Sequence, residues 1–449
     1  MSPAVVLQLR RLVSTYLPEL VGFATLLAIM MILSRFEYVP GTGFHYSRPR
    51  AISGDEPHYL VTVNSLLLDG DLDLSNNYRS SRQGGHDAGR LFRSRELDHH
   101  SLLVNSVTRE RARFHEVYAG GLPPCPWYPD CPQDQLSPRF ADRAVVRELS
   151  SHPLGFPVLI AGALAALRPT PRQIELYSVQ VVVVISWLAV VLTYVLCRRL
   201  GLSRTWAAGA VATLLGSSWL PYSKSFYSEP AIGLFLVVAL LAMQSGQPIL
   251  AGLAVAAAAA CKAPFLLVGG VWFLERLWAG RGREALLMAA STGGAFGGSV
   301  LLSFVTTGIP VASGHQGLLP PDGLRNLFLS LFDQSHGVLP YVPWAFVGFI
   351  GCFKALDPKE DNLMARWIAL ACLSLLVVLA SWGSTGGHCY GPRFWVPLLP
   401  ALAILSVLVV KEAGRALRLA FSVVVGLSAF FAVNGWVRYS QSFNSPLPW

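Results

Sequence analysis

The stretch Ser53-Gly54-Asp55-Glu56-Pro57-His58-Tyr59-Leu60 follows the first hydrophobic segment of the chain. It places two adjacent carboxylates, a histidine and a tyrosine where a membrane helix is expected to emerge into water. Adjacent acids repel each other, so their presence beside a membrane needs a reason. A catalytic base, or a carboxylate pair that holds a cation, would provide one. A helix start explains them too, because Asp, Glu and Pro favour the first turn. The two interpretations are compatible, since an N-terminal turn can hold an active-site acid.

The composition indicates a membrane protein. Of the 449 residues, 53% are hydrophobic and only 14% are charged, whereas about a quarter are charged in soluble domains. The net charge of +9 does not require a nucleic-acid partner. Short loops rich in Lys and Arg fall on one side of the predicted membrane, which is the positive-inside pattern.

The N-terminal third predicts one membrane helix and a large outer loop. Arg10 and Arg11 precede an apolar run that lacks a nearby cleavage site, so we expect an uncleaved helix with a cytoplasmic N-terminus. Residues 34–151 are polar and contain no membrane span, which predicts a large extracytoplasmic loop carrying the acidic motif. Within it, residues 59–68 predict an amphipathic helix at the interface. Residues 152–167 predict a second interfacial or re-entrant helix.

Ten more apolar segments follow the loop. Spans are predicted at about 174–196, 206–220, 229–243, 249–261, 265–278, 285–304, 342–353, 367–381, 394–410 and 417–436. Residues 306–341 form a second long extracytoplasmic loop. The expected fold is all-α and integral to the membrane: one polytopic domain over residues 1–449, with roughly 11 transmembrane helices and a C-terminus outside. The plasma (inner) membrane is the expected location.

On this topology, unusual polar residues gather at the outer face. They are Asp55, Glu56, His58, Lys224, Glu229, Lys262, His336, Tyr341, His388 and Arg393. Charges in or beside membrane spans are functional-site candidates. Each also has a structural alternative: Lys262 snorkelling to the interface, Glu229 starting a helix, Arg393 anchoring a span. The convergence of acids, a lysine and an arginine on one face favours a site.

Other motifs carry less information. Cys125 and Cys131 lie in the large outer loop, where a local disulfide is open. The segment 69–73 resembles the start of a calcium loop, but it lacks the glycine at the sixth position and has Ser80 where the bidentate acid belongs. We interpret it as a turn. The sequence contains no P-loop, GxGxxG, GxSxG or HExxH motif, so ATP-driven and zinc-hydrolase chemistry has no basis here.

The motif Asp55-Glu56-x-His58-Tyr59, opening a large outer loop after one helix, resembles that of the protein O-mannosyltransferases. More broadly, the chain resembles the GT-C membrane glycosyltransferases, which include the bacterial aminoarabinose transferases for lipid A. Segments 152–157, 226–230, 261–264 and 390–400 are also similar to bacterial members. The chain lacks the soluble lectin-like insertion of the mannosyltransferases, which leaves a protein acceptor in doubt.

The resemblance implies a polyprenyl-phosphate sugar donor and transfer at the outer face. Asp55 would be the general base on an acceptor hydroxyl, and inversion by direct displacement is the simpler mechanism. Glu56 would support Asp55, or the two would hold a divalent cation such as Mg²⁺, Mn²⁺ or Ca²⁺. Lys262 and Arg393 would bind the donor phosphate. The substrate-positioning candidates are His58, Tyr59, Lys224, Glu229, His336, Tyr341 and His388.

Several alternatives stay open at this stage. The acceptor is a glycan, a lipid or a protein. A transporter or flippase for a lipid-linked saccharide is the main rival, although such proteins often show internal repeats and midplane charges, and neither is evident here. A non-catalytic assembly protein and an enzyme that transfers another phospholipid headgroup are the remaining candidates.

Overall fold

The structure is a computed structural model of the whole chain. It describes residues 3–39, 43–46, 54–79, 91–92, 101–113, 140, 142, 145–307, 323–357, 362–381 and 389–438. Three predictions fall partly or wholly outside these residues: the role of His388, the disulfide of Cys125 with Cys131, and much of the second outer loop.

Helices account for most of the described chain. Apart from two short helices within residues 323–341, which the sequence predicts to be part of a long loop, they overlap the segments predicted to be helical. In chain order they are α1 (Pro3–Leu33), α2 (Glu56–Asn64), α3 (Gly155–Ala165), α4 (Ile174–Arg199), α5 (Arg204–Leu215), α6 (Trp219–Tyr222), α7 (Glu229–Gln244), α8 (Pro248–Cys261), α9 (Leu266–Trp278), α10 (Gly282–Thr307), α11 (Gly323–Phe332), α12 (Val338–Tyr341), α13 (Ala345–Ala355), α14 (Leu363–Ser381), α15 (Leu399–Glu412) and α16 (Arg415–Val437). Two 3₁₀ turns, Ala263–Phe265 and Arg393–Leu398, precede α9 and α15.

The protein is a multi-pass membrane protein. Among the described residues, five helical segments are long and apolar enough to cross a bilayer: Ile174–Arg199, Gly282–Thr306, Leu363–Ala380, Arg393–Glu412 and Arg415–Val437. Five shorter apolar helices accompany them, among them Glu229–Gln244 and Pro248–Cys261. The total of about eleven spans stays a prediction.

The bundle has a buried centre and an apolar outside. Helix α7 packs against α4, α8 and the 3₁₀ turn before α15, and most of its residues are buried. Fully buried tryptophans, Trp219, Trp272, Trp344 and Trp395, fill the space between helices. Helices α10 and α16 instead expose leucine, valine and phenylalanine side chains. In a membrane protein, such exposed apolar faces contact lipid.

The large polar loop that follows α1 contains strands as well as helices. Strands β1 (Phe36–Val39) and β2 (Gly43–Tyr46) form an antiparallel hairpin. Strands β3 (Tyr78–Arg79) and β4 (Leu91–Phe92) pair in parallel. Strands β5 (Ser101–Asn105), β6 (Arg111–Arg113) and β7 (Val146–Ser150) make an antiparallel sheet in the order β6-β5-β7, with Leu102 opposite Arg113 and Leu149.

Helix α2 differs from the amphipathic interfacial helix that the sequence predicts. It begins at Glu56, and its residues from His58 to Asn64 are all buried, polar ones included. It packs mainly against α3, and a single π-turn (Ser65–Asp69) ends it at Gly70 in the left-handed conformation. A helix that is buried on all sides cannot lie along a lipid surface. Its burial holds the acidic motif firmly against the bundle.

The bundle has two chemically different ends. Helix α7 starts at Glu229, close to the acidic motif, since the Phe226 backbone N–H donates to Glu56. Its last turn contacts Arg276, whose Nη2 donates to the Met243 carbonyl at 3.4 Å. Arg199 likewise donates to Ser245 at 2.7 Å, and Lys354 pairs with Glu412 at the end of α15. The basic residues of the predicted inner loops therefore lie opposite the acidic motif.

Candidate active site

Four charged side chains from distant parts of the chain meet at the N-terminal end of α7. The Glu229 Oε1 atom accepts from Lys262 Nζ at 2.5 Å and from Arg393 Nε at 2.7 Å. Arg393 Nη2 in turn donates to Asp55 Oδ2. Glu229, Lys262 and Arg393 are buried, and the Asp55 side chain is 14% exposed. The cluster contains two positive and two negative charges, linked in the order Lys262–Glu229–Arg393–Asp55.

Local sequence explains where Glu229 and Lys262 lie. Glu229 is in the first turn of α7, followed by Pro230, and a carboxylate is favourable at that end of a helix. Lys262 follows the last residue of α8 in an extended conformation, with φ of −152° and ψ of 110°. The helix cannot continue through this point, because Pro264 lacks the backbone N–H that it needs. The break directs the lysine toward α7.

Tyrosine side chains hold the turn that carries Arg393. Gly391 has a φ of +47°, and a Cβ there would lie 3.0 Å from the ring of Tyr341. The Tyr222 hydroxyl donates to the Tyr390 carbonyl at 2.7 Å. The guanidinium group of Arg393 stacks on the Tyr227 ring at 4.2 Å from its centroid, a favourable cation–π geometry. Tyr341, a predicted positioning residue, therefore contacts the turn that carries Arg393.

Asp55 precedes α2 and is surrounded by cationic groups. Burial raises the pKa of its carboxyl, but the Arg393 guanidinium, His152 and Lys262 together hold that pKa well below the usual value. His152 Nδ1 lies 3.9 Å from Asp55 Oδ2. Asp55 is therefore ionised in this arrangement at neutral pH.

The two acids of the motif face different partners. The Glu56 side chain is fully buried, and its Oε1 accepts a hydrogen bond from the Phe226 backbone N–H at 2.7 Å. It links the start of α2 to the turn that carries Tyr227 and Glu229. Asp55 faces Arg393 instead. Within the described ranges, no group of three His, Cys, Asp or Glu side chains could hold a metal ion, and binding of a divalent cation by Asp55 and Glu56 stays a prediction.

His58 and Tyr59 lie in the first turns of α2, near the cluster. The His58 ring stacks on His152 at 5.0 Å, and Tyr59 lies 5.2 Å from the same ring and 5.1 Å from Phe156. Burial, together with the Asp55 and Glu229 carboxylates, raises the pKa of Tyr59 well above its usual value. Its hydroxyl therefore keeps its proton and can act as a hydrogen-bond donor.

The remaining predicted residues have other partners. Lys224 Nζ donates to the Phe36 carbonyl at 3.3 Å, which links the turn after α6 to the residues that follow α1. His336 lies 3.7 Å from Asp333, whose carboxylate also accepts from the His336 backbone N–H. His388 lies outside the described residues.

Two residues near the cluster carry no role in the sequence prediction. His152 opens the segment 152–157, and Tyr227 belongs to the Phe-Tyr-Ser-Glu-Pro turn. Each lies next to a predicted site residue: His152 is beside Asp55, and the Tyr227 ring packs against the Arg393 guanidinium. A histidine that directly follows the polar loop, at the start of an apolar segment, was the available signal.

Comparison with known proteins shows the fold. No protein-family model and no curated protein sequence matches the chain. The crystal structure of ArnT from Cupriavidus metallidurans bound to undecaprenyl phosphate matches with a TM-score of 0.54 and 12% sequence identity, over 94% of this chain and 76% of that chain. The apo state of the same protein matches with a TM-score of 0.53 and 12% identity, over 95% and 76%. The chain therefore shares the fold of ArnT, as the predicted resemblance implies.

Proposed function

We propose that the protein is a membrane glycosyltransferase that moves a sugar from a polyprenyl-phosphate donor to an acceptor hydroxyl. The observation that carries the proposal is the buried cluster of Lys262, Glu229, Arg393 and Asp55. It combines two cations that can bind a phosphate with a carboxylate that can accept a proton. The fold supports it, because the similar ArnT structure holds undecaprenyl phosphate.

In this proposal, Lys262 and Arg393 bind the donor phosphate. The phosphate gains negative charge as its bond to the sugar breaks, and buried cations stabilise growing charge more strongly than exposed ones. Glu229 accepts from both cations and so fixes the distance between them. The Tyr227 ring packs against the face of the Arg393 guanidinium and so limits its movement. The phosphate would thus meet cations that are already oriented.

Asp55 is the proposed general base. The acceptor oxygen bonds to the anomeric carbon as the carbon–oxygen bond to the phosphate breaks, and the hydroxyl proton passes to Asp55. The products are the glycosylated acceptor and a polyprenyl phosphate. A single displacement inverts the anomeric configuration, which we expect because the described cluster offers one carboxylate, Asp55, that is partly open to solvent.

The other predicted residues receive positioning roles. Glu56 holds the Phe226 backbone and so places α2 against the start of α7. Tyr59 and His58 line the α2 side of the cluster, and Tyr341 supports the Arg393 turn. Substrate positioning by Lys224, His336 and His388 stays a prediction from the sequence. A glycan, lipid or protein acceptor is consistent with each of these roles.

We further propose that the reaction occurs at the outer face of the plasma membrane. The end of the bundle opposite the cluster carries Arg199, Arg276 and Lys354. Under the positive-inside rule, that end faces the cytoplasm. The cluster and the strands of the large loop then lie outside, where lipid-linked sugars are the donors at hand.

A transfer assay tests the proposal. The purified protein in liposomes is offered a panel of radiolabelled polyprenyl-phosphate sugars, with membrane extract as the acceptor source. We expect transfer from one donor class, and its loss in Asp55→Asn and Arg393→Ala. Absence of transfer from every donor, with the protein shown to be folded, would reject the glycosyltransferase. Movement of a lipid-linked saccharide between leaflets in the same liposomes would then support a flippase.

A further inference from the structure

We infer that the donor phosphate and the Asp55 carboxylate compete for Arg393, so that donor binding releases the catalytic base. The inference rests on the proposed function and concerns the order of events at the same cluster. In the free protein, Asp55 occupies one side of the Arg393 guanidinium. The phosphate takes that side when the donor enters, and Asp55 turns toward the acceptor.

The charges of the cluster require such an exchange. Lys262 and Arg393 are buried and already paired with Glu229 and Asp55. The two positive and two negative charges cancel. A phosphodiester brings at least one more negative charge, and an uncompensated charge in a buried site is strongly unfavourable. Movement of Asp55 away from Arg393 leaves a cation for the phosphate.

Asp55 is the carboxylate that can move. The Glu229 side chain is 1% exposed, and one of its oxygens accepts from both Lys262 and Arg393. The Asp55 side chain is 14% exposed and, of these two cations, bonds to Arg393 only. Asp55 makes no side-chain cap to α2, and it follows Gly54, whose φ is +62°. Turning away from Arg393 therefore breaks no helix-capping bond of Asp55.

The exchange gives the base its activity only when the donor is present. While Asp55 is paired, Arg393 contributes to holding its pKa well below the usual value, although burial acts in the opposite direction. A carboxylate in that state is a poor proton acceptor. Once the phosphate occupies Arg393, the lowering of the Asp55 pKa by Arg393 is reduced while burial still acts to raise that pKa, and the carboxylate becomes a stronger base. The donor therefore binds before the acceptor reacts.

Binding of undecaprenyl phosphate to the full-length protein in detergent tests the competition. Asp55→Asn removes the competing charge, so we expect it to bind undecaprenyl phosphate about tenfold more tightly than the wild type, equivalent to one charge-assisted hydrogen bond. Asp71→Asn removes a carboxylate from an exposed position in the same loop and should change the affinity less than about twofold. Arg393→Ala should abolish binding.

The outcomes separate this inference from the proposed function. Equal or weaker binding by Asp55→Asn, with binding still dependent on Arg393, overturns the competition and leaves the transferase intact. Absence of Arg393-dependent binding in the wild type overturns the proposed function itself. If Asp55→Asn does not fold, Asp55→Ser serves as the second variant.

Kinetics of the wild type provide a test that needs no variant. With donor binding first, polyprenyl phosphate should inhibit competitively against the donor and non-competitively against the acceptor. Competitive inhibition against the acceptor would contradict the order that the exchange imposes.

Discussion

Substitutions of Glu56 distinguish a catalytic role, which needs its negative charge, from a positioning role, which needs only its hydrogen bond. Its buried carboxylate accepts from the Phe226 backbone N–H at 2.7 Å, and a glutamine amide oxygen can accept the same bond. We expect Glu56→Gln to keep transfer within about fivefold of the wild type, and Glu56→Ala to lose about tenfold or more, because a buried N–H then lacks an acceptor. Initial rates of transfer measure the difference. Equal losses in the two variants would indicate that the negative charge itself is needed.

Asp55 should make stability depend on pH in a defined direction. Its folded pKa is held well below the usual value, mainly by Arg393 acting against burial. The unfolded carboxyl titrates near 3.9. The stabilisation is therefore complete above about pH 4 and is lost as the pH falls through the folded pKa. Thermal unfolding of wild type and Asp55→Asn in detergent should differ by a constant margin from pH 7 to about pH 5. The margin should shrink at lower pH, and a margin that grows on acidification would contradict the assigned pairing.

At the residue scale, the sequence identifies the groups of the cluster but not their bonds. Charged residues at the ends of apolar segments are conspicuous because a bilayer disfavours them, and this marks Asp55, Glu229, Lys262 and Arg393. Their pairings join residues 33, 164 and 338 positions apart. Separations of that size leave no periodic signal. The sequence assigns no role to His152 and Tyr227 for the same reason, since only the folded chain places them beside Asp55 and Arg393.

At the scale of elements, the contact between α3 and α8 sets the position of Lys262. A Cβ on Gly155 would lie 2.4 Å from the backbone carbon of Ala260, two residues before Lys262. We expect Gly155→Ala to destabilise the protein by about 1–3 kcal/mol. It should also lower transfer by about tenfold or more, because small displacements of a positioning group are costly.

Gly162 provides the matched control on the same helix. A Cβ there meets no atom within 4 Å, so Gly162→Ala should be neutral or should stabilise the helix by up to about 1 kcal/mol. Thermal unfolding and transfer are measured for the two variants together. Equal behaviour of the two would show that the approach of α3 to α8 does not matter.

The helices can be predicted from the sequence, whereas the strands of the large loop cannot, and the reason is where each finds its backbone hydrogen bonds. A helix satisfies its backbone within one segment, so an apolar run such as residues 229–243 identifies α7, which extends over Glu229–Gln244. Strand β5 depends on β7, 41 residues beyond its end. The burial of α2 is equally non-local, because α3 covers it. The sequence could therefore predict that α2 is a helix but not that it is buried.

At the scale of the whole molecule, the orientation in the membrane is the remaining prediction, and single cysteines test it. Ser106 lies in the strand-bearing loop and Arg281 lies between α9 and α10, and both are exposed. Among the described residues the native cysteines, Cys197, Cys261, Cys352, Cys372 and Cys389, are all buried. Replacement of Cys125 and Cys131 by serine gives a background in which an introduced thiol is the one that reacts.

A membrane-impermeant maleimide applied to intact cells should label Ser106→Cys and leave Arg281→Cys unlabelled until the membrane is permeabilised. The reason is electrostatic: Arg199, Arg276 and Lys354 lie at the Arg281 end of the bundle, and basic ends stay in the cytoplasm. The opposite pattern would place the cluster of Asp55, Glu229, Lys262 and Arg393 in the cytoplasm. Nucleotide sugars would then be available as donors, and the case for a lipid-linked donor would rest on the binding of undecaprenyl phosphate alone.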